Sequence, residues 1–406
     1  MNKWKKVKLG ELYEVHNGLS KGRQFFGSGY PFLTFSNVFN NWFLPEELES
    51  LVQSSEKERQ TCSIKKGDVF ITRTSETMDE LGMSSVALKD YPNATYNGFT
   101  KRLRPLTDEV IPEYIGYYLR SPKFRGKFMA FSTMTTRASL ANDDLLSMEV
   151  DIPEKAIQQR IATILSRYDS LIENYQKQIR LLEESAQRLY KEWFIDLRFP
   201  GHENTKIVDG VPEGWEKKKV GDIVKIKSGF AFKSKDWQKQ GCPVVKIKDI
   251  SGIFVNTDSL DYVSSNVALN AQHYLLNKMD LVIAMTGATI GKIGLITDDS
   301  LYANQRVGKF FLQNTIDVPY LYCFFKQTTS IEQIVQISSA SSAQPNISGN
   351  QLESFKILFN VNILKEFNLK CYKYFKQMIH LYSQIRHATE ARDRLLPKLM
   401  NGEIEV

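Results

Sequence analysis

The stretch of this chain that comes nearest to a catalytic loop is Gly287-Ala-Thr-Ile-Gly291-Lys292-Ile293, glycines beside a lysine as in the loops that wrap nucleotide phosphates. Such a loop needs four residues between its glycines and a hydroxyl after the lysine; here three intervene and Ile293 follows. Motor and kinase chemistry are not indicated. Metal-dependent hydrolysis would need clustered ligands. The acids Asp143-Asp144 and Asp298-Asp299 are adjacent pairs in turn-like contexts, and His16, His202, His273, His380 and His387 show no H-E-x-x-H or other ligand spacing. Cys62, Cys242, Cys323 and Cys371 form no C-x-x-C pair and read as small buried apolar residues. No metal site is expected. No G-x-G-x-x-G opens a helix and no N/D-P-P-[YF] signature of amino-methyltransferases occurs, so no cofactor is expected either.

What remains are side chains that bind rather than react. Ten lysines between Lys217 and Lys248 face only Asp222 and Asp236, and a smaller basic cluster runs from Lys101 through Arg104 to Arg120, Arg125 and Lys127. These are candidate phosphate-facing patches. A row of lysines also guards a strand edge against unwanted pairing, and for each lysine singly that second reading stands beside the first. The net charge of +7 over 406 residues is too modest to decide.

The elements that must position these groups are given by an internal repeat. Trp4-Lys-Lys-Val-Lys-Leu-Gly10-Glu11 returns as Trp215-Glu-Lys-Lys-Lys-Val-Gly221-Asp222 at an offset of 211, and Gly18 falls on Gly229. Asp68-Val-Phe-Ile-Thr-Arg-Thr74 meets Asp280-Leu-Val-Ile-Ala-Met-Thr286 at 212, each a turn followed by a buried strand. Pro112-Glu-Tyr-Ile then meets Pro319-Tyr-Leu-Tyr, and Ser139-Leu140 meets Asn346-Ile347, at 207. A unit this long is not a solenoid repeat; it predicts two like domains related by a pseudo-twofold axis.

Each copy ends in a heptad-patterned helix. In the first, Ile161, Leu165, Tyr168, Ile172, Tyr175, Ile179, Leu182, Ala186, Leu189 and Trp193 step by fours and threes. In the second, Phe367, Cys371, Tyr374, Met378, Leu381, Ile385, Ala388, Leu395 and Leu399 do so, interrupted only by Arg392. Tyrosines at the seam suit an intramolecular antiparallel pair, a rod of roughly 50 Å at about 1.5 Å per residue. Pro200-Gly201 stop the first helix, Gly402 the second, and Pro397 is expected to kink the last turn.

Arg198-Phe-Pro-Gly-His-Glu, followed by Asp209-Gly-Val-Pro-Glu-Gly-Trp215-Glu, resembles the specificity subunit of type I restriction-modification systems. So do Pro153 through Gln158-Gln159-Arg160-Ile-Ala-Thr-Ile-Leu165 and the terminal Leu395-Leu-Pro-Lys-Leu-Met-Asn-Gly-Glu-Ile404. The resemblance covers essentially the whole chain. It implies an α+β chain with two target-recognition domains separated by an antiparallel coiled-coil pair. The segments are then 1–153 and 200–360 for the domains (the latter with its linker), and 154–199 and 361–406 for the helices. It further implies double-stranded DNA as ligand and two methyltransferase subunits docked on the helices, with restriction-translocase subunits joining through the complex. Adenine N6 methylation and ATP-dependent cleavage then belong to the partners. One departure stands out: Asn360-Val-Asn-Ile-Leu-Lys-Glu-Phe367 lacks the proline and Gln-Gln-Arg of the first copy, so docking there is expected to be asymmetric.

Base readers should be Arg, Lys, Asn, Gln and Thr near the basic clusters. The candidates are Arg73, Thr74, Arg102 and Arg137 in the first copy, and Lys233, Lys246, Thr286, Lys292, Gln305, Arg306 and Gln344 in the second. With no run of about 18 apolar residues and no export signal, a cytoplasmic site of action is expected and no membrane contact. Two other readings are a structural adaptor, which predicts no salt-dependent DNA binding, and a stand-alone nuclease, which predicts metal-dependent cleavage by the chain itself.

Overall fold

The computed structural model describes residues 4–75, 80–131, 133–134, 138–139, 141–339 and 345–406. The chain divides into two compact units, Met1–Glu173 with Arg386–Val406, and Asn174–Ile385. Both divisions fall inside a long helix.

In the first unit the elements are β1 (Lys5–Lys8), β2 (Tyr13–Asn17), β3 (Val69–Thr72), β4 (Ser84–Val86), β5 (Thr100–Pro105), α1 (Pro112–Arg120) and β6 (Glu149–Ile152). Strands β2, β5, β3 and β4 lie in that order in an antiparallel sheet, and β1 pairs with β6. In the second unit β7 (Glu216–Lys219), β8 (Lys225–Ser228), β9 (Leu281–Ala284), β10 (Ile293–Leu295), β11 (Val307–Phe311), α2 (Val318–Lys326) and β12 (Lys356–Phe359) repeat the plan, with sheet order β8, β11, β9, β10.

The registers coincide residue by residue. His16 lies opposite Arg102 and Lys227 opposite Lys309; Phe70 lies opposite Arg102 and Val282 opposite Lys309; Lys5 lies opposite Ile152 and Glu216 opposite Phe359. The unbroken apolar runs of β3 and β9 follow from cores on both faces of the sheet. Val69 and Ile71 join one core and Phe70 another; Leu281 and Ile283 join one, Val282 and Ala284 another.

Gly18 and Gly229 are fixed by close approach of backbone. A Cβ on Gly18 would sit 2.2 Å from the Asn97 carbonyl oxygen, and one on Gly229 would sit 2.3 Å from that of Ala303. The chain then bonds on through Leu19 N–H to Tyr96 O and Phe230 N–H to Ala303 O, each at 2.8 Å. Gly229→Ala is therefore expected to cost about 1–3 kcal/mol of stability, as overpacking does. Denaturant titration reads this out, and an unmoved midpoint would contradict the packing.

The first long helix spans Lys155–Tyr190 and continues as a π-turn over Lys191–Ile195; the second spans Val361–Met400. Within the first unit Asp169 pairs with Arg392, while Ile161 and Leu165 share a core with Leu396, Leu399 and Met400. Within the second unit the Trp193 ring meets Phe367 at 6.0 Å, and Ile179 lines a groove with Tyr382 and Ile385. The segments run antiparallel in both.

Ile161, Leu165, Ile179, Trp193, Phe367, Met378, Leu381 and Leu399 are buried; Tyr168, Ile172, Tyr175, Leu182, Leu189, Tyr374, Ile385 and Leu395 are half-buried. Burial is nonetheless wider than a heptad seam. Phe375, Ile379, Leu396 and Met400, each one position past a seam residue, are buried too. The second helix has a further face to cover, as the 5.1 Å contact of Phe375 with Tyr322 on α2 shows. Arg392, the interruption in the seam, donates to the Asp169 carboxylate at 2.6 Å and lies over the Trp42 ring; Asp169 also accepts from the Tyr117 hydroxyl of α1.

The helix starts differ as their sequences do. Gln158 is fully buried, accepting from Ile111 N–H at 2.9 Å and donating to the Glu109 and Pro153 carbonyls. The second helix instead begins with an asparagine cap, Asn360 Oδ1 accepting from Asn362 and Ile363 N–H at 3.0 and 3.1 Å. At the far end Gly402, at φ 69°, completes a Schellman stop, with Glu403 N–H on Lys398 O and Gly402 N–H on Leu399 O. Pro397 lies inside the helix. Among the described residues no helix is long and apolar enough to cross a membrane.

Candidate nucleic-acid interface

The two sheets end in equivalent turns. In the first unit Asn97-Gly98-Phe99-Thr100 closes through Thr100 N–H to Asn97 O at 3.0 Å, with Phe99 N–H on the Asn97 side-chain oxygen at 2.6 Å. In the second, Asn304-Gln305-Arg306-Val307 closes through Val307 N–H to Asn304 O at 2.8 Å. Each turn is held from the adjoining strand by the same bond: Arg73 N–H to Phe99 O at 2.9 Å, Met285 N–H to Arg306 O at 3.0 Å.

Around the second turn the structure gathers three of the expected readers. Gln305 and Arg306 are exposed. The Arg306 guanidinium reaches the Thr286 hydroxyl at 3.4 Å, and that hydroxyl donates to Pro345 O at 3.0 Å. Thr286 itself is only 2 % exposed. Gln305 and Arg306 line a pocket of about 210 Å³ with Ser228, Asn346 and Ser348.

Lys233, Lys246 and Lys292 have other local settings. Lys233 is exposed at the head of a 3-10 turn, its N–H capped by Asp236. Lys246 lies 3.5 Å over the Trp237 ring and 2.9 Å from Asp261, which Lys248 shares. The two lysines hold the Asp261 carboxyl below its usual range, so much of the charge of Lys246 is already answered. Lys292 is exposed where the turn after β9 enters β10. With Gly287 and Gly291 at φ 76° and 78°, the glycine-lysine stretch is a hairpin connection and not a strand-to-helix phosphate loop.

In the first unit Arg73 flanks the turn, its guanidinium reaching Gly98 O at 3.4 Å. Thr74 lies on the short strand Thr74–Ser75, opposite Ser139, as Thr286 lies opposite Asn346. Arg102 is placed differently from a reader: at 3 % exposure its guanidinium donates to the Thr61 and Ser63 carbonyls, and the Tyr96 ring lies 5.6 Å away. Arg137 and Gln344 fall outside the described residues.

The basic cluster from Lys101 to Lys127 is not a phosphate-facing patch. Arg104 is bound to the buried Asp68 at 2.7 Å; Arg120 donates to the Val38, Phe39, Asn41 and Ser84 carbonyls; Lys123 and Lys127 converge on Asp151. Burial pushes the Arg120 guanidinium down to about 10, a sign of a scaffold group and not of a solvated one. Buried carbonyls and acids need donors, and these side chains supply them.

Sequence reasoning overlooked Phe99, and it placed Lys101 only in a phosphate-facing cluster and not at this turn. Phe99 is 58 % exposed at the turn. Lys101 is buried beside it, donating to Asn142; burial first, then the Arg73 charge, hold its ammonium below the ordinary lysine value. Their signal was the repeat itself, which sets Gly98-Phe99 on Gln305-Arg306 at an offset of 207.

Among the described residues no group of three His, Cys, Asp or Glu is placed to hold a metal ion. Residues 1–184 and 212–360 match the family described as the type I restriction modification DNA specificity domain. The chain belongs to that family. As a type I DNA specificity subunit it is of the non-catalytic kind within such complexes. It is 26% identical to the type I restriction enzyme MjaIX specificity subunit of Methanocaldococcus jannaschii, over 99% of this chain and 94% of that one. It is 25% identical to the HindI specificity subunit of Haemophilus influenzae over the full length of both. In fold it is similar to the crystal structure of the type I system S subunit from M. genitalium, at a TM-score of 0.56 and 16% identity over 98% of this chain and 96% of that one. The expected mixed α+β fold with antiparallel long helices holds.

Proposed function

We propose that this specificity subunit reads a bipartite, asymmetric sequence in double-stranded DNA, one half-site per unit, and docks two methyltransferase subunits on its long helices. Restriction-translocase subunits join through that complex, in the cytoplasm, where the target DNA is. The observation carrying this reading is the pair of equivalent turns: one backbone frame, with Gly98-Phe99 in the first unit and Gln305-Arg306 in the second. A shared frame with unlike side chains is what reading two unlike half-sites requires.

Arg73, Thr74, Arg137, Lys233, Lys292, Gln305, Arg306 and Gln344 are the proposed DNA contacts. Arg102, Thr286 and Lys246 we assign to positioning, because Arg102 and Thr286 are buried and all three side chains bond within the chain. The experiment is a salt titration of duplex binding by the complex with its methyltransferase. A linear fall of log K with log salt, together with selectivity between sequences, supports the reading; its absence supports a protein-binding adaptor.

The helices should also set the spacer between half-sites. Four residues inserted near Ile179, and four opposite them in the second helix, add about 6 Å, close to two base pairs. The expected result is a longer spacer with both half-sites unchanged, read by mapping the methylated motif. An unchanged spacer would sink the ruler idea.

A further inference from the structure

A single exposed phenylalanine is ordinary on a protein surface. Phe99 is not placed at random, however. Its N–H is taken by the Asn97 side chain and its carbonyl by Arg73 N–H, so the turn's backbone is tied down while the ring stands 58 % exposed. Arg73 flanks the turn with positive charge. The neighbouring Gly98 has no side chain to offer, whereas the same two positions of the second unit carry Gln305 and Arg306, both hydrogen-bonding groups.

A phenyl ring cannot read donors or acceptors. In the major groove the one apolar mark on a base edge is the 5-methyl group of thymine. We propose that Phe99 is a specificity-determining residue, packing its ring on a thymine methyl group in the half-site read by the first unit. The second unit reads its half-site through the hydrogen-bonding pair Gln305 and Arg306. This rests on the proposed reading of DNA by both units and adds the chemical class of the contact.

The test uses the complex with its methyltransferase and duplexes carrying the mapped motif, with each thymine of both strands replaced singly by deoxyuridine, which lacks only the methyl. One replacement in one half-site is expected to weaken binding about fourfold, the worth of a buried methyl group. Phe99→Ala should weaken binding to the thymine duplex by at least that factor and remove its preference over deoxyuridine. Arg306→Ala should leave that preference intact. Because Phe99 is largely exposed, Phe99→Ala should unfold at the wild-type temperature, which separates contact from folding. The proposal is overturned if no thymine shows a Phe99-dependent methyl effect, or if that half-site contains no thymine. A wild-type complex that selects no sequence overturns the broader reading of DNA recognition instead.

Discussion

Arg306→Ala is expected to weaken binding of the assembled complex to its target roughly 5- to 150-fold, the equivalent of the 1–3 kcal/mol that a bidentate arginine-base contact discriminates. The expectation follows from how the side chain is held. Its backbone carbonyl is fixed by Met285 N–H at 3.0 Å, and its guanidinium leans on a threonine hydroxyl that is itself committed to Pro345. The arginine is therefore aimed, with donors left over for a base. Arg306→Lys should not rescue, because an ammonium offers no planar fork. Competition binding against duplexes varied one base pair at a time distinguishes the roles. A base reader relaxes one position of one half-site; a uniform loss with a shallower salt slope would instead make Arg306 a phosphate contact.

Arg392→Met is expected to destabilise the chain by about 3 kcal/mol, the low end of the range for breaking a buried pair, because Asp169 retains 26 % exposure. Burial alone would lower the Arg392 pKa; the bonds to Asp169 and Asp393 more than offset that and hold it above the arginine norm. Removing the guanidinium strands a carboxylate whose remaining hydrogen bond, among the described residues, comes from the Tyr117 hydroxyl of α1. Adding Asp169→Asn should recover most of the loss, since an amide oxygen still accepts from Tyr117 and no charge is stranded. Denaturant unfolding of the single and double variants checks this. Equal losses in both would show that the ion pair is incidental and that the arginine matters for its packing over Trp42.

The same residue shows what was legible in the sequence. A polar interruption in a seam of Leu, Ile, Tyr and Met is visible by spacing alone, but its partner lies 223 residues away and no local pattern points to it. The repeat was legible in full because both copies keep the groups that backbone geometry demands. Gly18 and Gly229 admit no Cβ, and Asp68 and Asp280 cap the turns into β3 and β9 by accepting from Lys65 and Asn277 N–H.

The direction in which basic side chains point was not legible. Arg102 and Lys309 occupy one position of the repeat, and both turn to carbonyl oxygens inside their own unit. Arg104 and Arg120 look like a patch in one dimension and are internal braces in three. Residue type reports charge; only packing reports which acid or carbonyl already uses it. Phe99 escaped for the opposite reason, because a search for hydrogen-bonding readers passes over a phenyl ring.

The most direct measurement is to express the chain with the methyltransferase subunit of its own system and map N6-methyladenine across the host DNA by long-read sequencing. One split motif with unlike halves, present with this chain and gone when it is omitted, is the predicted result. A soluble, assembled complex that leaves no such motif, or one that persists without this chain, would contradict the assignment of DNA reading to the two units.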